Sequence, residues 1–210
     1  MGDYILSFKS RWIELFYVPP FPDADGRPTS GHLPDPHRFL LKYPEVVFTG
    51  ASLSEPQPNP ESPDNSLIVY ILAYQTVVGF FYFRATIYNS VYKPSGPTAT
   101  VGIDLVGVYE LGKPRTIGGG PRLVQLGAWL GQEGKRGIWI ERSPNELKRF
   151  VVAASFDQSG PAGVPVESGD DLRQLREIAP RIELTNDVFI IKSMSPNGER
   201  TVPKNYSSAE

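Results

Sequence analysis

An all-β fold, mostly antiparallel, is predicted for this chain of 210 residues, and three observations predict it. Twenty Gly and 21 Pro interrupt the sequence so often that long helices have little room, since proline breaks a helix interior and glycine weakens it. Between these interruptions lie short runs rich in β-branched and aromatic residues. Three of the runs follow one another at the spacing of β-hairpins. An apolar share of 40% and an aromatic share of 11% supply enough side chains for a packed core. The expected architecture is two meander sheets, packed as a sandwich or as a partial propeller, with one short C-terminal helix. Its length fits a single β-rich domain, placed at residues 1–194.

"SRWIELFYV" (10–18) alternates and is rich in β-formers, so it is the first expected strand. Residues 19–37 carry six prolines and both histidines, the composition of a loop. β character resumes near Val46 to Ser54 and closes in a second Pro-rich loop, 55–65. The apolar stretch from Ser66 to Tyr88 is about long enough to span a bilayer. Gln75, Gly79 and Arg84 interrupt it, and its β-branched and aromatic content fits strands at 66–74 and 77–90 better than a membrane helix. "KPSGPT" turns the chain into a strand at 99–111, and "GKPRTIGGGP" is a connector. Strands at 122–130, 135–142 and 147–156, joined by "GQEG" and "SPNE", form a meander. With the strand at 99–111 ahead of it, the meander becomes one four-stranded sheet, and residues 10–90 supply the other.

"SGDDLRQLREIAP" is the best helix signal. Ser168 can cap it, Asp170 and Asp171 fall in the first turn, Leu172, Leu175 and Ile178 share a side, and Pro180 ends it. Residues 181–194 give one more strand or pair, and 195–210 read as a disordered tail.

The formal net charge of −2 leaves no global positive field to gather nucleic acid or anionic lipid, so a polyanion would need a local patch. Neither nucleic acid nor membrane is expected as a partner. The absence of cysteine excludes a disulfide scaffold and Cys-ligated zinc. The N-terminus lacks the basic head, clean apolar run and small-residue cleavage site of a secretory signal, and Leu6 stands where a myristoylation motif needs Ser or Thr. An intracellular location is expected.

"GQEGKRGIWIER" (131–142) superficially resembles a phosphate-binding loop. Such a loop needs a glycine five positions before the Gly-Lys pair and a hydroxyl after it. Here those positions hold Trp129 and Arg136. Lys135 instead opens an alternating strand, with Arg136, Ile138 and Ile140 on one face and Gly137, Trp139 and Glu141 on the other. Gly134 is read as the turn residue accepting a positive φ. "GGG" at 118–120 lacks the βαβ context of a dinucleotide site and is a linker. Lys135, Arg136, Arg142, Lys148 and Arg149 are interleaved with Glu133, Glu141 and Glu146, a pattern that predicts cross-strand ion pairs on a solvated face.

Catalytic candidates are few. His32 and His37 share a loop with no helix to bring them to one face. Asp23/Asp25 lie in a loop and Asp170/Asp171 at a helix start, where acids favour the dipole. There is no Gly-x-Ser-x-Gly elbow and no cysteine nucleophile. No catalytic residue, cofactor or metal is expected, and the chain is read as no enzyme. Trp12, Trp129 and Trp139 could line a sugar site, but large aromatics at strand positions more often fill cores.

Several segments together, "SRWIELFYVPPF", "RFLLKYPEVVFTGASLSEP", "LIVYILAYQTVVGFFYFRATI", "TVGIDLVGVYEL" and above all "AWLGQEGKRGIWIER", resemble the C-terminal β-rich region of uncharacterised F-box-containing proteins of mushroom-forming fungi. The resemblance covers about residues 10–156. Its most specific piece is the hairpin of Gly131, Gly134, Lys135, Arg136, Gly137, Trp139, Glu141 and Arg142, to which it attaches a structural role and no catalysis. It implies a propeller-like body that selects a target protein while an F-box docks on a ubiquitin-ligase adaptor. This chain shows no helical F-box segment at its N-terminus, and beyond residue 156 β repeats give way to a short helix. The expected function is a non-enzymatic module binding an unknown protein partner, with a lectin-like carbohydrate-binding protein as the alternative.

Overall fold

The alternating aromatic and β-branched runs become strands. In the computed structural model these are β1 (Asp3–Phe8), β2 (Trp12–Val18), β3 (His37–Leu40), β4 (Gly50–Leu53), β5 (Gln57–Pro58), β6 (Ser66–Gln75), β7 (Gly79–Asn89), β8 (Ala99–Glu110), β9 (Leu123–Leu130), β10 (Arg136–Arg142), β11 (Lys148–Ser155), β12 (Val164–Val166) and β13 (Phe189–Lys192), with one helix, α1 (Leu172–Ile178), before β13. The described residues are 3–9, 12–18, 37–40, 47–62, 66–89, 99–111, 123–142, 148–156, 158, 163–167, 169–182, 184 and 189–192. The fold is all-β, its paired strands antiparallel.

Among the described residues three sheets form, with orders β1-β2-β3, β12-β8-β7-β6-β4 with β5 also on β6, and β13-β11-β10-β9. The middle sheet is buried on both faces, which explains why "SLIVYILAYQ" and "FFYF" show apolar residues without a polar alternate. On one face Val69, Ile71, Phe81 and Phe83 meet Ile13 and Leu15 of β2 and Leu172 and Leu175 of α1. On the other, Ile68, Tyr70, Leu72, Phe80 and Tyr82 meet Trp139, Phe150, Val152 and Ala154 of the four-stranded sheet. The sheets therefore stack face to face, as a sandwich of three layers.

Five expectations change in detail. The strand at 99–111, β8, belongs to the middle sheet, paired along its length with β7, and the fourth strand of the meander's sheet is β13. Hairpin pairing with the immediately preceding strand wins over pairing across the longer connector, so three sheets form and not two. Asp3–Phe8, not expected as a strand, pairs with β2. Within the 55–65 loop, Gln57 and Pro58 pair with Ile68 and Leu67. His37 opens β3 and pairs with Leu15. Finally, Asp171 caps α1, its Oδ1 accepting from the Arg173 amide at 2.9 Å, while Asp170 lies before the helix and accepts from the Glu167 amide at 2.8 Å. Ser168, most of the 19–37 loop, residues 112–120 and the 195–210 tail lie outside the described residues.

One irregularity positions the site. In β8 the register against β7 shifts, so that Phe83 pairs with Leu105 and Tyr82 with Gly107. This bulge reverses side-chain parity: Leu105 and Val108, three apart, face the α1 side, and Tyr109 faces Trp139.

Candidate functional site

The hairpin of β9 and β10 turns through residues 131–135. The Gly131 amide donates to the Arg136 carbonyl and the Gly134 amide to the Gly131 carbonyl, both at 2.8 Å. Gly134 has φ 74°, and a Cβ there would come within 2.6 Å of the Tyr70 ring. Glycine is thus required twice over, for conformation and for space. Tyr82 donates its hydroxyl to the Gly134 carbonyl at 2.9 Å and stacks on Phe156. Burial pushes the Tyr82 hydroxyl well above the usual phenol range. It also raises Tyr70, against the opposing charges of Arg84 and Lys135. Lys135 is exposed and pairs with Glu133 at 2.8 Å, and the hydrogen bond from Lys135 lowers the Glu133 carboxyl. A strand, not a helix, follows Lys135, so the turn lacks the helix N-terminus on which a phosphate-binding loop relies.

Alternation along β10 places Gly137, Trp139 and Glu141 inward. Gly137 lies against Phe156, whose ring a Cβ would approach to 2.9 Å. Trp139 is fully buried, its ring centroid 4.3 Å from that of Phe80. Glu141 is fully buried too, and its Oε1 accepts from the Tyr109 hydroxyl at 2.7 Å and from Trp139 Nε1 at 2.9 Å. The expectation that Glu141 joins an ion-pair ladder on a solvated face is therefore corrected. The middle sheet covers that face, and the β8 bulge delivers the Tyr109 hydroxyl to the carboxylate. The signal was present in the sequence as the shared parity of Trp139 and Glu141.

The outer face of the same sheet carries Arg136, Ile138, Ile140 and Arg142 on β10 and Arg149, Val151, Ala153 and Ser155 on β11. Ile138 pairs with Ala153 on one side and with Trp129 of β9 on the other. Trp129 is 53% exposed and Ile138 43%, beside a shallow groove of about 520 Å³ lined by Trp129, Gly131, Arg136, Ile138, Ala153 and Ser155 among others. Arg142 lies directly opposite Arg149. Among the described residues Arg136, Arg142 and Arg149 form no ion pair, so the expected ladder is reduced there to Lys135 and Glu133. Glu146 and the Lys148 side chain lie outside the described residues.

Of the hairpin residues singled out by the sequence, Gly134, Gly137, Trp139 and Glu141 form an inward packing unit, while Lys135, Arg136 and Arg142 point outward and Gly131 borders the groove. Trp129, weighed as core or sugar platform, is the exposed tryptophan beside that groove, whereas Trp139 is core and Trp12 is half-buried. Asp23, Asp25, His32 and the His37 side chain lie outside the described residues. Among the described residues no group of three or more His, Cys, Asp or Glu could hold a metal, and no helix is long and apolar enough to cross a membrane. The groove lining is mixed, with polar groups from Arg136, Ser155 and the Trp129 indole beside apolar surface from Leu130, Ile138 and Ala153. Comparisons with family models, curated proteins and solved structures find no match to the chain.

Proposed function

We propose that this chain is a non-enzymatic protein-interaction module that docks its partner on the outer face of β9, β10 and β11. The observation that carries the reading is the cross-strand pair of Trp129 and Ile138, both exposed beside the groove. An exposed tryptophan set in an apolar patch is the kind of anchor on which protein interfaces concentrate their binding energy. The resemblance to the target-selecting region of fungal F-box proteins favours the same role, inside the cell. It gives no support to an F-box in this chain. A sugar presents hydroxyls around its whole rim, and each one buried without a partner opposes binding. Beside Trp129 the Ile138 and Ala153 side chains offer such hydroxyls no partner, which favours a protein over a glycan.

The test places a photo-crosslinking residue at Ile138 and exposes the chain to fungal lysate, with adducts identified by mass spectrometry. A defined protein adduct that disappears in Trp129→Asp is expected. No adduct above background, or an adduct indifferent to Trp129→Asp, overturns the reading.

A further inference from the structure

We infer that the outer face of the four-stranded sheet recognises an extended acidic peptide segment with an apolar centre. This rests on the docking reading above and names the chemistry of its partner. Arg142 and Arg149 stand directly opposite each other on adjacent antiparallel strands, and both are exposed. Like charges in that position disfavour folding. In the middle sheet one cross-strand pair does the opposite: Arg84 stands directly opposite Asp104 and bonds it at 2.9 Å. In a chain with 23 acidic and 21 basic residues, a described face that carries three unpaired arginines and no carboxylate is a local excess of positive charge. A bound anion between Arg142 and Arg149 would turn the repulsion into two attractions, and a guanidinium matches a carboxylate with two parallel hydrogen bonds.

Spacing selects the shape of the occupant. Arg136 and Arg142 are six residues apart on one strand, roughly 20 Å at the rise of an extended chain. Between them lie Ile138 and Ile140, flanked by Trp129, Val151 and Ala153. An extended peptide with acidic residues about six positions apart and an apolar residue between them matches this order of charge and groove. A single-stranded nucleic acid wants an aromatic ring for each successive base, and here one exposed tryptophan lies on an aliphatic floor.

Fluorescence anisotropy with the full chain tests the assignment. The probe is a labelled peptide of about ten residues, paired glutamates flanking a Val-Leu-Phe-Val centre, beside the same peptide with lysines for glutamates, oligothymidine and a heparin tetrasaccharide. The glutamate peptide should bind, the lysine peptide should not, and added salt should weaken the complex. Arg142→Glu should lower affinity about tenfold. Because that substitution sets a carboxylate opposite Arg149, it should leave the urea midpoint unchanged or raised, which separates lost binding from lost folding. Equal binding of the two peptides, or affinity indifferent to Arg142→Glu, overturns the inference. So does oligothymidine or heparin binding tighter than the peptide and lost in Arg142→Glu, which reassigns the face. Failure here with the Ile138 adduct intact removes only the acidic chemistry, whereas loss of the adduct removes the docking face itself.

Discussion

On the inner face of β10, Glu141 receives hydrogen bonds from Tyr109 and Trp139 in a fully buried setting. On the outer face of the same strand, the next residue, Arg142, faces Arg149 in solvent. The two faces share strands, register and glycines, yet their charges are handled in opposite ways. A buried carboxylate must have donors, because an unmatched one opposes folding strongly. A solvated arginine has no such requirement, so folding leaves its arrangement unconstrained within a small penalty. The inner polar group is thus explained by the fold, and the outer cations are not. That asymmetry is why an acidic occupant is assigned to the outer face.

The largest expected effect separates the two tryptophans. Trp139→Ala should cost about 3–5 kcal/mol in urea unfolding, because it empties a filled core site. Trp129→Ala should stay within about 0.5 kcal/mol, as exposed substitutions do. Similar losses would erase the distinction between the faces. Next, Glu141→Leu should cost about 1–3 kcal/mol by leaving the Tyr109 hydroxyl and Trp139 Nε1 without their acceptor. Glu141→Gln, which keeps a side-chain oxygen, should lose less. If the order reverses, Glu141 is not acting as that acceptor.

A smaller contrast lies in the turn. Gly134→Ala meets both the positive φ and the Tyr70 ring, and should cost about 1–3 kcal/mol. Gly131→Ala, whose Cβ would sit at an ordinary 3.5 Å from the Arg136 carbonyl, should be close to neutral on the same denaturation curve. The smallest effect belongs to the outer face. Arg142→Glu should stabilise the fold by about 0.2–1 kcal/mol at low salt, a gain that shrinks as salt is added. A clear loss would show that Arg142 already serves the fold, and the two faces would no longer differ in kind.

Much of this architecture is legible in the residues. The meander was expected at 122–130, 135–142 and 147–156 and lies at Leu123–Leu130, Arg136–Arg142 and Lys148–Ser155, because alternation, β-formers and glycine turns are local properties. The parity that put Gly137, Trp139 and Glu141 together could likewise be read from β10 alone. Three features could not. The sheet that β8 joins depends on competition between two possible neighbours, and its parity depends on a one-residue bulge with no strong marker beyond Gly107. Trp129 and Trp139 sit in similar apolar strands, and only the middle sheet, covering one side, makes the second core and leaves the first exposed.

Taken by itself, the sequence determined the β class, the hairpin order of the meander strands and the need for glycine at the turn, because these follow from steric and periodic rules acting within a few residues. The tertiary structure alone decided which face of each strand is dry, that three layers form, and that Glu141 is paired indoors while Arg142 and Arg149 meet in water. Those outcomes depend on which surfaces far apart in the chain exclude solvent together, and no local rule carries that information.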